Sequence, residues 1–207
     1  MTGTVFTVGH STHTLERFIA LLQKHGITAI GDVRSKPYSR MNPQFNREEL
    51  KAALREREIA YVFLGKELGA RSDDASCYHD GKVQYHRLAE TALFQQGMNR
   101  LMEGAAKYRI ALMCAEKEPL DCHRTILVAR HIISMGLDVK HILGNGELEE
   151  HAQALGRLVR QLHLPEGDMF SKQDEVFQEA YRLQGERIAF SPGEPKAAGE
   201  TVRGASR

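Results

Sequence analysis

Two cysteines, a histidine, an arginine and three carboxylates crowd one stretch of this chain, Cys114-Ala-Glu116-Lys-Glu118-Pro119-Leu-Asp121-Cys122-His123-Arg124. Thiols act as nucleophiles or metal ligands, an imidazole moves protons, and a guanidinium binds anions through a two-pronged fork. Pro119 stiffens the loop. Residues 122–124 fall where the apolar period of a helix begins, so free N–H groups and the helix dipole there favour an anion and lower the pKa of a thiol. Plainer readings stand beside these. Cys114 closes an apolar run and can be a small core residue, and Glu116 can be a proton-transfer group if desolvated or simply pair with Arg124. Metal binding by Cys114, Cys122, His123 and His10 is not adopted, because Cys-x7-Cys-His is not a familiar zinc spacing. No metal ligand is assigned.

The elements that position this segment follow from hydrophobic period. Thr4–Val8 reads as a buried strand, and Thr14 caps a helix carrying Leu15, Phe18, Ile19 and Leu22 until Gly26 stops it. Ile27–Val33 is a second strand. A helix over about 46–57 leads to a third at Ile59–Leu64, and helices within 84–106 lead to a fourth at Arg109–Cys114. Arg124–Met135 reads as a helix stopped by Gly136, Val139–Leu143 as the last strand, and Leu148 to Leu162 as an amphipathic helix after Gly144-Asn-Gly146. The segment 70–81 reads as an irregular loop. Strands alternating with helices give an α/β fold: one domain with a mainly parallel, roughly five-stranded sheet flanked by helices, a three-layer arrangement of rhodanese-like or Rossmann-like type. The domain is expected over 1–164, a helical extension over 165–190 and a disordered tail over 191–207.

Open parallel sheets bind ligands beyond the carboxyl ends of their strands. Those ends carry His10-Ser11, Asp32-Val-Arg34, Gly65-Lys66-Glu67, Cys114-Ala-Glu116 and Asn145, so one site is expected there. The catalytic candidates are Asp32, Glu116, Cys114, Cys122 and His123; Asp32 can instead pair with Arg34. The substrate-binding candidates are His10, Ser11, Arg34, Arg40, Phe45, Lys66 and Arg124. The loop from Arg34 to Arg47 holds four cations (Arg34, Lys36, Arg40, Arg47) and two rings (Tyr38, Phe45), groups suited to phosphate contact and base stacking. The expected partner is an anionic ligand, with a nucleotide or nucleic acid among the candidates. Cofactor and oligomeric state are not readable.

With 207 residues, 42% apolar and 27% charged, the composition is that of an ordinary globular protein. A net charge of +1 argues against bulk attraction to nucleic acid and leaves room for a local basic patch. No apolar run approaches the roughly 18 residues that span a bilayer, and the N-terminus lacks the form of a signal peptide. Three scattered cysteines, Cys77, Cys114 and Cys122, suit a reducing compartment, so the cytoplasm is the expected location.

Taken together, Val8-Gly-His10-Ser11, Asp32-Val-Arg34 with Pro37, Ser39, Arg40, Asn42, Pro43 and Phe45, Leu64-Gly-Lys-Glu-Leu68-Gly69, the Cys114 to Arg124 segment, and His141-Ile-Leu through His151 resemble the family catalogued as domain of unknown function 488. The resemblance implies an α/β fold with a family site at these positions and no settled activity. A fainter similarity links the chain to rhodanese-type domains, where a strand also ends in Asp-Val-Arg and a later one in Cys. Here nine residues separate Cys114 from Arg124, with Glu116, Glu118 and Asp121 among them, a longer and more acidic loop than that fold uses for a thiolate or a phosphate. The leading expectation is an enzyme acting on an anionic small molecule, nucleotide or nucleic acid. The alternatives are a rhodanese-like thiol or sulfur-transfer enzyme and a non-enzymatic module that binds nucleic acid or nucleotide.

Overall fold

The computed structural model describes residues 3–165 and 173–192. The expected tail over 191–207 lies, apart from its first two residues, outside the described residues, as do residues 166–172 of the expected extension.

The first strand, β1 (Thr4–Gly9), is buried over all but its first residue. The Thr14 hydroxyl accepts from the Arg17 N–H at 3.2 Å and starts α1 (Leu15–Lys24), which turns Phe18, Leu21 and Leu22 inward. There follow β2 (Ala29–Asp32), α2 (Arg47–Arg55), β3 (Ala60–Phe63), a short hairpin of β4 (Tyr78–His79) and β5 (Lys82–Val83), α3 (Tyr85–Glu90), α4 (Ala92–Ala105) and β6 (Ile110–Cys114). The expected helix from Arg124 begins as a wide, π-helical segment over Arg124–Ala129 and continues as α5 (Arg130–Ser134). The chain then runs through β7 (Asp138–Ile142), β8 (Leu148–Glu150), α6 (His151–Gln161) and α7 (Gln173–Ile188).

The main sheet is six-stranded, in the order β3-β2-β6-β1-β7-β8, and parallel except for β8, which pairs antiparallel with β7. Val139–Leu143 is therefore not the last strand, and the helix expected from Leu148 starts at His151. Leu148-Glu-Glu150 is too short to show a strand period. Its Leu also fits the helical spacing that follows, so the sequence assigns it to the wrong element. The segment 70–81 likewise holds a 3-10 turn (Ala75–Cys77) and the β4 strand of the hairpin.

Alternation along the central strands builds two cores. Phe6, Val8, Ile30, Ala111 and Met113 face α1 and α2, against Phe18, Leu22, Leu50 and Leu54. Val5, Leu112, Cys114 and Val139 share the opposite core with Phe94 and Met98 of α4 and with Leu127 and Ile132. A third cluster seats Leu155, Leu158 and Tyr181 of α6 and α7 on Leu120 and Ile126. The chain leaves β1 and β2 toward one face and β6 toward the other. Such a reversal opens a crevice at the carboxyl ends, and β6 ends in the middle of it.

Candidate active site at the carboxyl ends of β1, β2 and β6

Pairing of the central strands continues beyond their ends. His10 and Ser11 donate backbone N–H groups to the carbonyls of Cys114 and Ala115 at 2.9 and 3.0 Å, and Val33 donates to Met113 at 3.1 Å. This draws the loop 115–123 across the end of β1 so closely that a Cβ on Gly9 would stand 1.9 Å from the Glu116 carbonyl oxygen. Only glycine admits that approach. Fully buried Arg124 ties the loop from below, donating to the carbonyls of Glu116 at 2.7 Å and Lys117 at 3.3 Å. From outside, Arg157 of α6 pairs with Glu118 at 2.8 Å, and Gln184 of α7 donates to the Leu120 carbonyl at 2.9 Å and to Asp121 at 3.2 Å.

Inside this clasp four acidic or basic groups converge. The Cys114 and Cys122 thiols lie 2.9 and 3.1 Å from the same carboxylate oxygen, Oε2 of Glu116. His123 Nδ1 stands 3.8 Å from each sulfur. Its Nε2 lies 3.0 Å from the Val33 carbonyl, which only accepts, so Nε2 carries a proton and Nδ1 is the nitrogen that exchanges one with the thiols. The Arg124 N–H points at Cys122 Sγ at 3.4 Å. Burial pushes the Cys114 thiol well above its ordinary pKa, as do Cys122 and Glu116 beside it. Burial opposes ionisation of Cys122 too, but the Cys114 thiol, Arg124 and His123 outweigh it and hold Cys122 down to about 6. His123 is raised in spite of its burial, by the negative charge of Cys122 and Glu116. Two thiols and a carboxylate this close cannot all be ionised, so the cluster shares its protons.

A second knot lies beside the first. Asp32, fully buried, accepts from the Arg34 N–H at 3.1 Å, from Arg34 Nε at 2.9 Å and Nη2 at 2.7 Å, and from the Tyr61 hydroxyl at 2.7 Å. Arg34 also donates to the Phe45 carbonyl at 2.8 Å, and its Nη1 lies 3.3 Å from His10 Nε2. His10 stacks on Phe45 at 4.4 Å between ring centroids. Burial first, and the Arg34 charge second, hold His10 down to about 4, so the ring is neutral and accepts from Arg34.

A pocket of about 270 Å³ opens onto both knots. Cys114, Glu116 and His123 form part of its lining, together with the cations Arg34, Lys36 and Arg71 and the Asp121 carboxylate; Tyr85, Ile188 and Phe190 are among its other walls. The chain thus brings together Cys114, Glu116, Cys122, His123, Arg34 and His10. It does not bring Arg40 or Lys66, which are exposed and line no part of the pocket. Phe45 is core rather than a stacking platform, and Ser11 contributes backbone. Asp32 has its carboxylate engaged by Arg34 and Tyr61, and Arg124 is spent on two loop carbonyls behind the cluster. Of the acidic loop residues only Glu116 faces the thiols, because Glu118 and Asp121 turn to Arg157 and Gln184.

Sequence reasoning missed Arg71, Tyr85 and Phe190 as pocket residues. Arg71 lies over the Phe190 ring at 4.2 Å, and the Val83 N–H donates to the Phe190 carbonyl at 3.0 Å, so the residues just beyond α7 close a wall that no local motif announces.

No curated protein and no solved structure matches the chain. The family model described as domain of unknown function DUF488 matches residues 14–131, a span that includes Arg34, Cys114, Glu116, Cys122 and His123. That span is more than half of the chain, and the protein belongs to the DUF488 family.

Proposed function

We propose that the protein is an enzyme acting on a small anionic substrate, bound by Arg34, Lys36 and Arg71 and transformed at the cluster of Cys114, Glu116, Cys122 and His123. One observation carries this reading: a single pocket joins three cations to the densest set of reactive side chains in the fold. A volume of about 270 Å³ suits a metabolite or the phosphate end of a nucleotide better than a nucleic-acid strand. Phe45, needed for stacking in a strand-binding loop, is buried against His10 and Phe18. Arg34 is fixed by Asp32 and Phe45 and keeps one Nη1 proton beyond the one it gives to His10, while Lys36 and Arg71 form no ion pair among the described residues and line the same pocket.

Thermal shift measured against inorganic phosphate, sulfate and nucleoside monophosphates tests the anion site. At least one of these should raise the melting temperature, and Lys36→Ala with Arg71→Ala should weaken it by roughly tenfold or more. Indifference of the wild-type protein to every anion, or undiminished binding by the double variant, refutes the reading. Slower alkylation of Cys114 when the anion is present would place that anion over the cluster.

A further inference from the structure

We propose that Cys114, Cys122 and His123, with Glu116 beside the two sulfurs, form a binding site for a thiophilic divalent cation, zinc above all, at the floor of the pocket. The inference takes the same cluster as the chemical centre and does not require the pocket cations.

The donor atoms supply the geometry. Cys114 Sγ, Cys122 Sγ and His123 Nδ1 lie within 4.8 Å of one another. Zinc bonds of about 2.3 Å to sulfur and about 2.0–2.1 Å to nitrogen put the sulfur–nitrogen edges of a tetrahedron at roughly 3.6 Å. The two edges here are 3.8 Å each. Glu116 Oε2, at 2.9 and 3.1 Å, is a partner of both sulfurs next to this three-donor set, which leaves the fourth position of a tetrahedron to solvent or substrate. Its two distances are those of S–H···O hydrogen bonds, and they open when the metal replaces the thiol protons.

The surroundings supply the orientation. A metal-binding imidazole usually donates its other N–H to a carbonyl or carboxylate, and His123 does so to Val33 at 3.0 Å. The peptide N–H of Arg124 points at the Cys122 sulfur, a contact that steadies a thiolate. Arg124 itself is fully buried beside the cluster. Entry of the ion displaces to solvent whatever protons the two thiols still hold. Two thiolates and a carboxylate against a divalent cation leave one negative charge, which the Arg124 guanidinium balances. Two sulfurs and one imidazole form a soft-to-borderline set that favours zinc over magnesium or calcium. His10, the fourth ligand weighed from sequence, is turned away to Ser11 and Arg34.

The test uses the full chain, purified reduced and without chelator. Elemental analysis should find about one zinc per chain, and cobalt added to the stripped protein should produce a thiolate-to-cobalt charge-transfer band with tetrahedral intensity. Cys122→Ser and Glu116→Gln should lower zinc affinity, the former by at least about a hundredfold and the latter by about tenfold. Far-UV circular dichroism of each variant and of the stripped wild type verifies the fold. A folded wild-type protein that holds no zinc and gives no charge-transfer band overturns the proposal, and so does zinc retained equally by Cys114→Ser and Cys122→Ser. Lys36→Ala and Arg71→Ala should leave metal content unchanged. Loss of anion binding with zinc intact therefore fails the pocket reading alone, and anion binding without zinc fails this inference alone.

Discussion

At the scale of the residue, the contrast between Asp32 and Glu116 shows how environment divides two carboxylates that the sequence presents as equals. Both sit at strand ends, yet Asp32 is surrounded by donors from Arg34 and Tyr61, whereas Glu116 meets two thiols at the edge of the pocket. Asp32 is in consequence the positioning residue for Arg34. Its replacement by Ala leaves a buried guanidinium unpaired, and the expected cost is about 3–5 kcal/mol in urea unfolding, with anion affinity falling as well. Tyr61→Phe removes one hydrogen bond to the same carboxylate and should cost about 1–2 kcal/mol. An Asp32→Ala protein as stable as wild type would show that the ion pair does not hold this corner of the sheet.

At the scale of the element, the loop 115–123 is held by contacts from four directions, and each gives a handle. Gly9→Ala should destabilise by roughly 3 kcal/mol or more, because its Cβ meets backbone rather than a yielding side chain. Gln184→Ala frees the turn at Leu120 and Asp121 from α7. It should cost about 1–2 kcal/mol and speed alkylation of Cys114, measured as the rate of thiol modification; an unchanged rate would mean that α7 does not steady the cluster.

The same elements show what was legible in the chain. The central strands announced themselves because both of their faces are buried, and apolar runs such as Ile110–Cys114 permit few other readings. Cys114, Glu116 and His123 were found because strand ends share an edge. β8 was hidden by its length, and the π-helical turn by its apolar pattern, which an ordinary helix shares. The roles of Arg124 and Asp32 were hidden for another reason. Whether a buried charge serves a ligand or a carbonyl is decided by packing between elements distant in sequence.

At the scale of the whole molecule, a buried chain of hydrogen bonds links four elements: Thr7 Oγ1 to His141 Nδ1 at 2.8 Å, His141 Nε2 to His151 Nδ1 at 3.0 Å, and His151 Nε2 to the Tyr181 hydroxyl at 2.5 Å. The contact between the two rings needs one nitrogen that accepts, so the two cannot both be cationic. Burial holds His151 down to about 4, and burial together with His151 and nearby arginines holds His141 well below its usual value. In the unfolded chain both rings titrate near 6.5, so the unfolded state takes up protons first as the pH falls. Their contribution is complete above about pH 6.5 and is lost as the pH drops toward 4, worth roughly 3 kcal/mol for His151. Urea midpoints measured between about pH 7.5 and 4.5 should fall for the wild type and fall less steeply for His151→Gln. Equal slopes would remove His151 as the cause.

The wall that Ile188 and Phe190 give the pocket has a consequence for how this protein can diversify. The matched family span ends at residue 131, so Cys114, Glu116, Cys122 and His123 lie inside it and Ile188 and Phe190 lie outside it. The cluster and the pocket cations are written in one stretch of the chain and this part of the wall in another. Substitutions at 188–190 can reshape what the pocket admits while leaving each thiol, imidazole and carboxylate where it stands.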